Sequence, residues 1–163
     1  MIACMERFQI RDAGEHDLPL ILQFIRDLAE YERLAHMVVC TEEQLRNVLF
    51  GERRYAEVII GEEDGVAAGF ALFFHNFSTF LGRPGIYLED LFVKPEMRGR
   101  GYGKALLARL ARIAQERECG RVEWAVLDWN EPSIKFYKGL GATALDDWRI
   151  FRLTGEALKT LAG

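Results

Sequence analysis

The spacing of apolar and polar residues along the chain predicts six strands. Alternation of the two kinds, or a short apolar run between turn residues, is typical of a strand that buries one or both of its faces. Asp64 and Gly65 separate the second strand from the third and predict a tight hairpin turn. The predicted strands are Arg7–Ala13, the two runs on either side of that turn within 55–77, Gly85–Val93, Arg121–Leu127 and Trp148–Thr154.

Apolar residues that recur every three or four positions predict helices between these strands. Asp17 is placed to cap the first helix, and Thr41 with Gln44 three residues later forms the capping box that opens the second. The third helix is predicted from about Gly103 to Glu118, a short fourth helix after the cap Asn130, and a closing turn or two over 155–163.

The order of these elements predicts a mixed α/β fold. The strand before the third helix and the strand after it form a strand–helix–strand unit, so we expect them to be parallel. The other strands are joined by short turns and should be antiparallel. We therefore expect a single-domain chain, residues 1–163, with a mixed, mostly antiparallel sheet and helices on both of its faces.

Three glycines at alternate positions stand just before the third helix: Gly99, Gly101 and Gly103. Glycine permits positive φ and lets a ligand approach the backbone closely. The first amides of a helix have no partner within the helix, and they carry the positive end of its dipole. With Arg98 and Arg100 interleaved, the segment predicts a binding site for an anion, a phosphate in particular.

Two better-known phosphate motifs do not fit this segment. A dinucleotide fingerprint needs its third glycine at the position of Lys104 or of Leu106, depending on the register. A P-loop needs glycine in place of Arg98 and Ser or Thr in place of Ala105. The spacing that fits is Arg-x-x-Gly-x-Gly, beginning at Arg98.

Composition narrows the function classes. The 163 residues carry a net charge of −4, so no general attraction to nucleic acid or to an anionic membrane is expected, and "RGRGYGK" is an isolated basic stretch. Apolar runs are too short to span a bilayer and the N-terminus does not resemble a secretory signal, which predicts a cytoplasmic protein. The three cysteines lack a neighbour at metal-ligand spacing, so no metal site is expected.

Two segments together resemble a known enzyme family. "LEDLFVKPEMRGRGYGKALL" resembles the coenzyme A diphosphate-binding segment of the GNAT family of N-acetyltransferases, and "DWNEPSIKFYKGLGA" resembles the last conserved segment of that family. The stretches "LAEYE", "YLED", "WNEPSI" and "WRIF" extend the similarity to the spermidine/spermine N1-acetyltransferase branch, which includes enzymes that acetylate thialysine. The resemblance implies direct transfer of an acetyl group from acetyl-CoA to an amine in a ternary complex.

The resemblance also implies which residues bind the coenzyme. Backbone groups of β-strand residues before the glycines would hold the acetyl end and its thioester oxygen, the glycine segment would hold the diphosphate, and the turn after Asn130 would contact the pantetheine arm. The implied coenzyme-binding residues are Leu91, Phe92, Val93, Arg98, Gly99, Arg100, Gly101, Tyr102, Gly103, Lys104, Asn130, Glu131, Pro132, Ser133 and Tyr137.

Catalytic roles follow from the same resemblance. Glu89 matches the acid that binds the amine and relays its proton; because Asp90 alternates with it along a strand, Asp90 is expected on the other face. Tyr137 matches the general acid for the leaving thiolate. Phe136 is the competing ring, since the sequence allows either of these neighbouring aromatics to face inward.

Several acceptor amines are compatible with the sequence. Tyr31 and Glu32 match positions that hold a cationic substrate, through a cation–π contact and a charged hydrogen bond. A small polyamine, a lysine-like or thialysine-like amine and a protein lysine all fit. The alternatives outside catalysis are a non-catalytic acetyl-CoA-binding module and a nucleic-acid binder, against which the net charge argues. The family resemblance also predicts a homodimer.

Overall fold

A computed structural model describes residues 8–163 of the chain. These residues fall into two compact units, a first that ends at Ala125 and a second formed by Val126–Gly163, and each unit is described by itself. Arg7, the predicted first residue of the first strand, lies outside the described residues.

The first unit contains a five-stranded sheet in the order β1-β2-β3-β4-β5. Neighbouring strands from β1 to β4 are antiparallel, whereas β4 and β5 are parallel, as the strand–helix–strand pattern predicted. The strands are β1 (Phe8–Asp12), β2 (Glu57–Glu63), β3 (Val66–Ser78), β4 (Arg83–Val93) and β5 (Val122–Trp124). The last of these is shorter than the predicted Arg121–Leu127.

Helices cover both faces of this sheet, which confirms the predicted fold class. Helices α1 (Leu18–Tyr31) and α2 (Glu42–Leu49) pack on one face, where Phe24, Phe70 and Phe92 belong to a single buried cluster. Helix α3 (Tyr102–Glu116) packs on the other face around Leu106 and Leu110. Burial of these two apolar clusters is the main favourable contribution to the stability of the unit.

Most local signals produced the expected structure. Asp64 and Gly65 both have positive φ (51° and 79°) between β2 and β3, which is the backbone that a type I′ hairpin turn requires. Thr41 and Gln44 form the predicted capping box at the start of α2.

The prediction that the Asp17 side chain caps α1 is wrong. Asp17 precedes α1, but its carboxylate makes no hydrogen bond to the first turn of that helix. It instead accepts two hydrogen bonds from the Arg11 guanidinium (2.7 and 2.8 Å) and one from the amide of Gly14 (2.8 Å). A charged partner from β1 therefore takes the carboxylate that local sequence assigned to helix capping.

The second unit contains α4 (Glu131–Gly139) and α5 (Gly155–Ala162). The strand predicted at Trp148–Thr154 is wrong: these residues form neither helix nor strand. Trp148, Ile150 and Phe151 have exposed fractions of 77%, 78% and 92%. Apolar alternation provides only the tendency to form a strand, and a strand also needs a neighbour with which to pair.

Every helix within residues 8–163 falls short of the length and apolar character that a bilayer-spanning segment requires.

Candidate active site

The glycine segment forms an open, left-handed entry to α3. Gly101 is the residue that caps this helix, with φ of 86°, and Gly99 has φ of 77°. A Cβ atom added to either glycine would meet nothing within 4 Å, so the space beside the backbone is clear. The amides at the start of α3 can therefore be approached by an anion, which fits the diphosphate of acetyl-CoA.

The two arginines of this segment are both held by contacts within the protein. Arg98 donates from Nε to the Val93 carbonyl (2.8 Å), and its guanidinium lies over the ring of Tyr31 (4.9 Å). Arg100 forms an ion pair with Glu63, with Nη1 2.7 Å from Oε2. A charge-assisted bond from either arginine to a phosphate would use the remaining N–H groups of its guanidinium.

Tyr102, the first residue of α3, turns its ring into the protein. The ring is stacked on Phe8 with centroids 3.9 Å apart, and the residue is 9% exposed. A hydrogen bond to Glu63 and burial raise the pKa of the Tyr102 hydroxyl. Because the side chain anchors the helix, only the Tyr102 main chain remains as its predicted contact with the coenzyme. Gly103 and Lys104 follow in the first turn, and the Lys104 side chain is exposed.

The backbone of β4 is open along one edge beside this segment. Within residues 8–163, pairing of β4 with β5 extends from Ile86 opposite Val122 to Leu88 opposite Trp124. Lys94 donates its amide to Ala68 on β3. Along an antiparallel pair, every second residue bonds to the neighbouring strand. Since Lys94 does so, Leu91 and Val93 direct their N–H and C=O groups away from β3, toward the open edge.

Leu91 and Val93 therefore direct their main-chain amides to the side where the acetyl group was predicted to bind, whereas the Val93 carbonyl accepts from Arg98. Phe92 does not share that direction: it lies opposite Phe70 in the β3 ladder, and its side chain is buried against α1. An open strand edge with free amides fits an amide-bearing chain such as pantetheine and the oxygen of a thioester.

A β-bulge in β4 changes which face of the sheet its side chains occupy. Leu88 lies opposite Phe73, whereas Asp90 lies opposite Leu72, so Glu89 is the extra residue. Residues directly opposite each other share a face. Leu88 and Phe73 therefore belong to the α3 face, and Asp90 and Leu72 to the α1 face.

Asp90 interacts electrostatically with Glu89 and Glu32, and these three acids form a carboxylate cluster. Burial, followed by the charges of Glu89 and Glu32, raises the pKa of Asp90 to about 7. Burial and the charge of Glu89 also raise the pKa of Glu32. Both shifts have the direction expected when like charges are gathered in a poorly solvated place.

Asp90 is the site residue that sequence reasoning left aside. The expectation that Glu89 and Asp90 occupy opposite faces assumed an unbroken strand, and the bulge removes that assumption. A signal was present in the sequence. Strict alternation from Ile86 through Leu88 would place a carboxylate between Leu88 and Phe92 on one apolar face, which is unfavourable and indicates a bulge or a functional site.

Tyr31 and Glu32 lie together where α1 ends, Tyr31 as its last residue and Glu32 as its C-cap. Glu32 thus adds a negative charge to the negative end of the helix dipole, a combination that favours a cation nearby. Tyr31 already carries the Arg98 guanidinium over its ring, so a substrate ammonium cannot use that ring face. The first unit thereby brings together the predicted acceptor residues, Glu89 and the start of the glycine segment.

The remaining predicted residues belong to the second unit. Asn130 caps α4: its side chain accepts a hydrogen bond from the Ser133 amide (3.4 Å), and it is 5% exposed. Glu131, Pro132 and Ser133 form the first turn of α4, as predicted. Tyr137 lies on the same helix, half-buried, with its ring centroid 5.3 Å from that of Phe136.

Proteins of known activity resemble this chain over most of its length. Residues 22–142 match the acetyltransferase (GNAT) family. The chain is 42% identical to the thialysine N-epsilon-acetyltransferase of Bos taurus, over 94% of this chain and 96% of that protein. It is 33% identical to an L-ornithine N5-acetyltransferase of Arabidopsis thaliana, over 94% of this chain and 87% of that protein.

Solved structures agree on the fold. An integron cassette protein from the mobile metagenome of V. cholerae superposes with a TM-score of 0.80 at 29% identity, covering 96% of this chain and 98% of that one. Family membership implies acetyl-CoA as the co-substrate. The chain belongs to the GNAT family of acetyltransferases and is an N-acetyltransferase.

Proposed function

We propose that this enzyme acetylates a primary amine of a small, free, cationic substrate of the thialysine, ornithine or polyamine kind. The observation that carries the proposal is the cluster of Glu32, Glu89 and Asp90 beside the open edge of β4. Three carboxylates at the negative end of a helix favour a substrate with positive charge. The relatives named thialysine and L-ornithine acetyltransferases support the same class.

The amine must lose a proton before it can attack. An alkyl ammonium has a pKa near 10.4, so only about one molecule in a few thousand is neutral at pH 7. Glu89 is the proposed amine-binding and proton-relay group. Asp90, whose pKa is about 7, is placed to accept a proton and release it again near neutral pH, which an ordinary aspartate does poorly.

Acetyl-CoA supplies the acetyl group as a thioester. A bond forms between the amine nitrogen and the acetyl carbon, the bond from that carbon to sulfur breaks, and the amine proton leaves to the carboxylate cluster. Main-chain amides of Leu91 and Val93 are the proposed donors to the thioester oxygen as it gains negative charge, an effect worth about 3 kcal/mol per donor by analogy with oxyanion holes. Tyr137 is the proposed donor to the sulfur.

Coenzyme binding is assigned to the residues at the N-terminal ends of α3 and α4. The amides from Gly99 to Lys104 are proposed to hold the diphosphate, with Arg98 and Arg100 beside them. Asn130 and the first turn of α4, through Ser133, are proposed to contact the pantetheine arm. Tyr31 and Glu32 complete the acceptor side.

The proposal is tested by an acetyl-CoA-dependent screen that follows thiol release. The acceptors are thialysine, lysine, ornithine, spermidine, spermine and a lysine-containing peptide with a blocked N-terminus. We expect a free diamine or polyamine to have the highest kcat/KM. Turnover with the peptide alone would identify a protein lysine acetyltransferase, and coenzyme binding without turnover of any acceptor would identify a binding module; both results contradict the proposal.

The assembly of the enzyme is also proposed rather than observed. We propose that residues 1–163 act as one catalytic domain and that the protein is a homodimer, which light scattering of the purified protein measures directly. The cytoplasmic location stays a prediction.

A further inference from the structure

Glu63, a residue that the sequence did not single out, contacts the glycine segment from a distant strand. It is the last residue of β2, immediately before the Asp64–Gly65 turn. Its carboxylate pairs with the Arg100 guanidinium at 2.7 Å, and it lies beside the Tyr102 hydroxyl, whose pKa it raises. One carboxylate therefore interacts with the residues on both sides of Gly101.

These contacts bear on one of the two left-handed glycine conformations that open the anion site. Gly101 has φ of 86°, and glycine also populates other regions of φ at little cost. Holding Arg100 and Tyr102 at fixed positions restricts Gly101 to the left-handed conformation. That conformation aims the amides at the start of α3 toward the ligand.

Tyr102 is itself held from β1 and β2. Its ring is stacked on Phe8 at an interplanar angle of 3°. The Phe8 ring in turn lies over Gly61, where a Cβ atom would be 2.5 Å from the ring. The first turn of α3 is therefore fastened to the sheet by stacking as well as by the Glu63 carboxylate.

Glu63 is negatively charged and would repel a phosphate, so we do not expect it to contact the phosphate directly. The ion pair with Arg100 offsets this charge locally, and the Glu63 side chain is 20% exposed, whereas that of Arg100 is 49% exposed. The Arg100 guanidinium therefore remains accessible to a ligand while the ion pair with Glu63 fixes its position. Glu63 contributes by positioning the loop rather than by its charge.

We infer that Glu63 is a positioning residue that holds the coenzyme-binding loop in its binding conformation before the coenzyme arrives. The inference rests on the proposed assignment of this loop to the coenzyme diphosphate. Pre-organisation of a loop improves affinity by removing the cost of ordering it on binding.

The test compares Glu63→Ala, Glu63→Gln and the control Glu62→Ala. Glutamine keeps an oxygen acceptor for Arg100 and Tyr102, whereas alanine removes it. Glu62 lies next to Glu63 on β2 and pairs with Arg11 at 2.8 Å, so its variant loses the same charge and one ion pair away from the loop. Calorimetry measures coenzyme A binding, steady-state kinetics measures both substrates, and urea unfolding shows that each variant is folded.

Glu63→Ala is expected to raise the Kd for coenzyme A about tenfold, the effect of one lost charged hydrogen bond, while kcat and the KM of the amine stay within about twofold. The Kd of Glu63→Gln for coenzyme A is expected to lie within about threefold of the parent value, and that of Glu62→Ala within about twofold.

Several results would overturn the inference. They are an unchanged Kd for Glu63→Ala, equal weakening by alanine and glutamine, or parallel losses in coenzyme Kd, amine KM and kcat. If the parent protein itself failed to bind coenzyme A, the assignment of the loop would fail instead, and the two failures are thereby distinguished.

Discussion

The guanidinium of Arg98 lies 4.9 Å from the centre of the Tyr31 ring. This contact joins the loop after β4 to the end of α1, which are the coenzyme and acceptor sides of the proposed site. The same guanidinium donates to the Val93 carbonyl and lies 5.5 Å from the Phe92 ring. Arg98 therefore links the proposed coenzyme side to the proposed acceptor side, and it is also a phosphate-binding candidate.

Replacing Arg98 by lysine should weaken the binding of both substrates. Lysine keeps the positive charge but has no Nε donor for Val93 and no planar group to lie over Tyr31. We expect the KM of acetyl-CoA and the KM of the amine each to rise about three- to tenfold, measured by steady-state kinetics. Arg112→Lys, on the exposed part of α3, is the control, and a change confined to acetyl-CoA would contradict the bridging role.

Gly101→Ala tests the left-handed entry to α3. An alanine at φ of 86° is strained by about 1–2 kcal/mol, although a Cβ atom there has open space. We expect lower stability to urea and weaker coenzyme A binding. Gly139→Ala is the matched control because Gly139 lies in α4, also with open space but without positive φ; it should leave stability unchanged or raise it by up to about 1 kcal/mol. Equal effects of the two variants would contradict the prediction.

Asp90→Asn should stabilise the protein at alkaline pH. The pKa of Asp90 is about 7 in the folded protein and 3.8 for an ordinary aspartate, so between these values the folded state holds a proton that the unfolded state releases. The free energy of unfolding therefore falls as pH rises through this window. Replacing the carboxyl by an amide should raise the free energy of unfolding by about 1–3 kcal/mol at pH 8 and change it little at pH 4.

Urea unfolding at the two pH values measures this difference. Glu116→Gln is the control, since this exposed acid pairs with Arg109 only at the surface and should change stability by less than about 0.5 kcal/mol at either pH. The same Asp90→Asn protein should lose turnover. A variant that gained no stability at pH 8 would show that Asp90 is well solvated.

Tyr137→Phe tests the proposed acid of α4. Loss of the hydroxyl removes the donor to the leaving sulfur, and we expect kcat to fall roughly ten- to a thousand-fold with little change in coenzyme affinity. Phe136→Leu is the control, because it removes the neighbouring ring at 5.3 Å without touching the hydroxyl. Unchanged turnover of Tyr137→Phe would remove Tyr137 from the mechanism.

Asp17→Asn should destabilise the first unit. The carboxylate is 5% exposed, and its hydrogen bonds to Arg11 lower the pKa of Asp17 below its ordinary value. A lowered pKa contributes stability above the ordinary value of 3.8, and this contribution is lost as pH falls through the folded-state pKa. We expect a loss of about 1–3 kcal/mol at pH 7, measured by urea unfolding, and a smaller loss in acid.

Glu15→Gln is the control for that measurement. Glu15 also pairs with an arginine, Arg46 at 2.7 Å, but both side chains are largely exposed, so the loss should stay below about 1 kcal/mol. Equal losses for the two variants would show that burial of Asp17 adds nothing.

The elements that the sequence predicted well depend on residues close together in the chain. The capping box of α2, the hairpin turn at Asp64–Gly65 and the glycines before α3 are each specified within a few residues. Helix α3 was predicted to within two residues at either end, because its apolar stripe is long and regular. The parallel pairing of β4 with β5 followed from the helix that connects the two strands.

The predictions that failed depend on which partner a residue or a segment meets in the folded protein, even when that partner is as near in the chain as Arg11 is to Asp17. Asp17 lost its capping role to Arg11 on a neighbouring strand, and Trp148–Thr154 has strand-like alternation without forming a strand. Sequence patterns report what a segment prefers. Whether the preference is realised depends on which other segment lies beside it.

The sequence by itself determined the family, the order of most elements and the glycine-rich entry to α3, since these follow from local preferences and motif spacing. Only the tertiary structure decided that a bulge puts Asp90 on the α1 face, where the charge of Glu32 acts on it, that Arg98 covers Tyr31 and that Glu63 pairs with Arg100 beside Gly101. Each of these depends on strand register or on contact between distant segments, and register is set by packing of the whole sheet rather than by any one stretch of sequence.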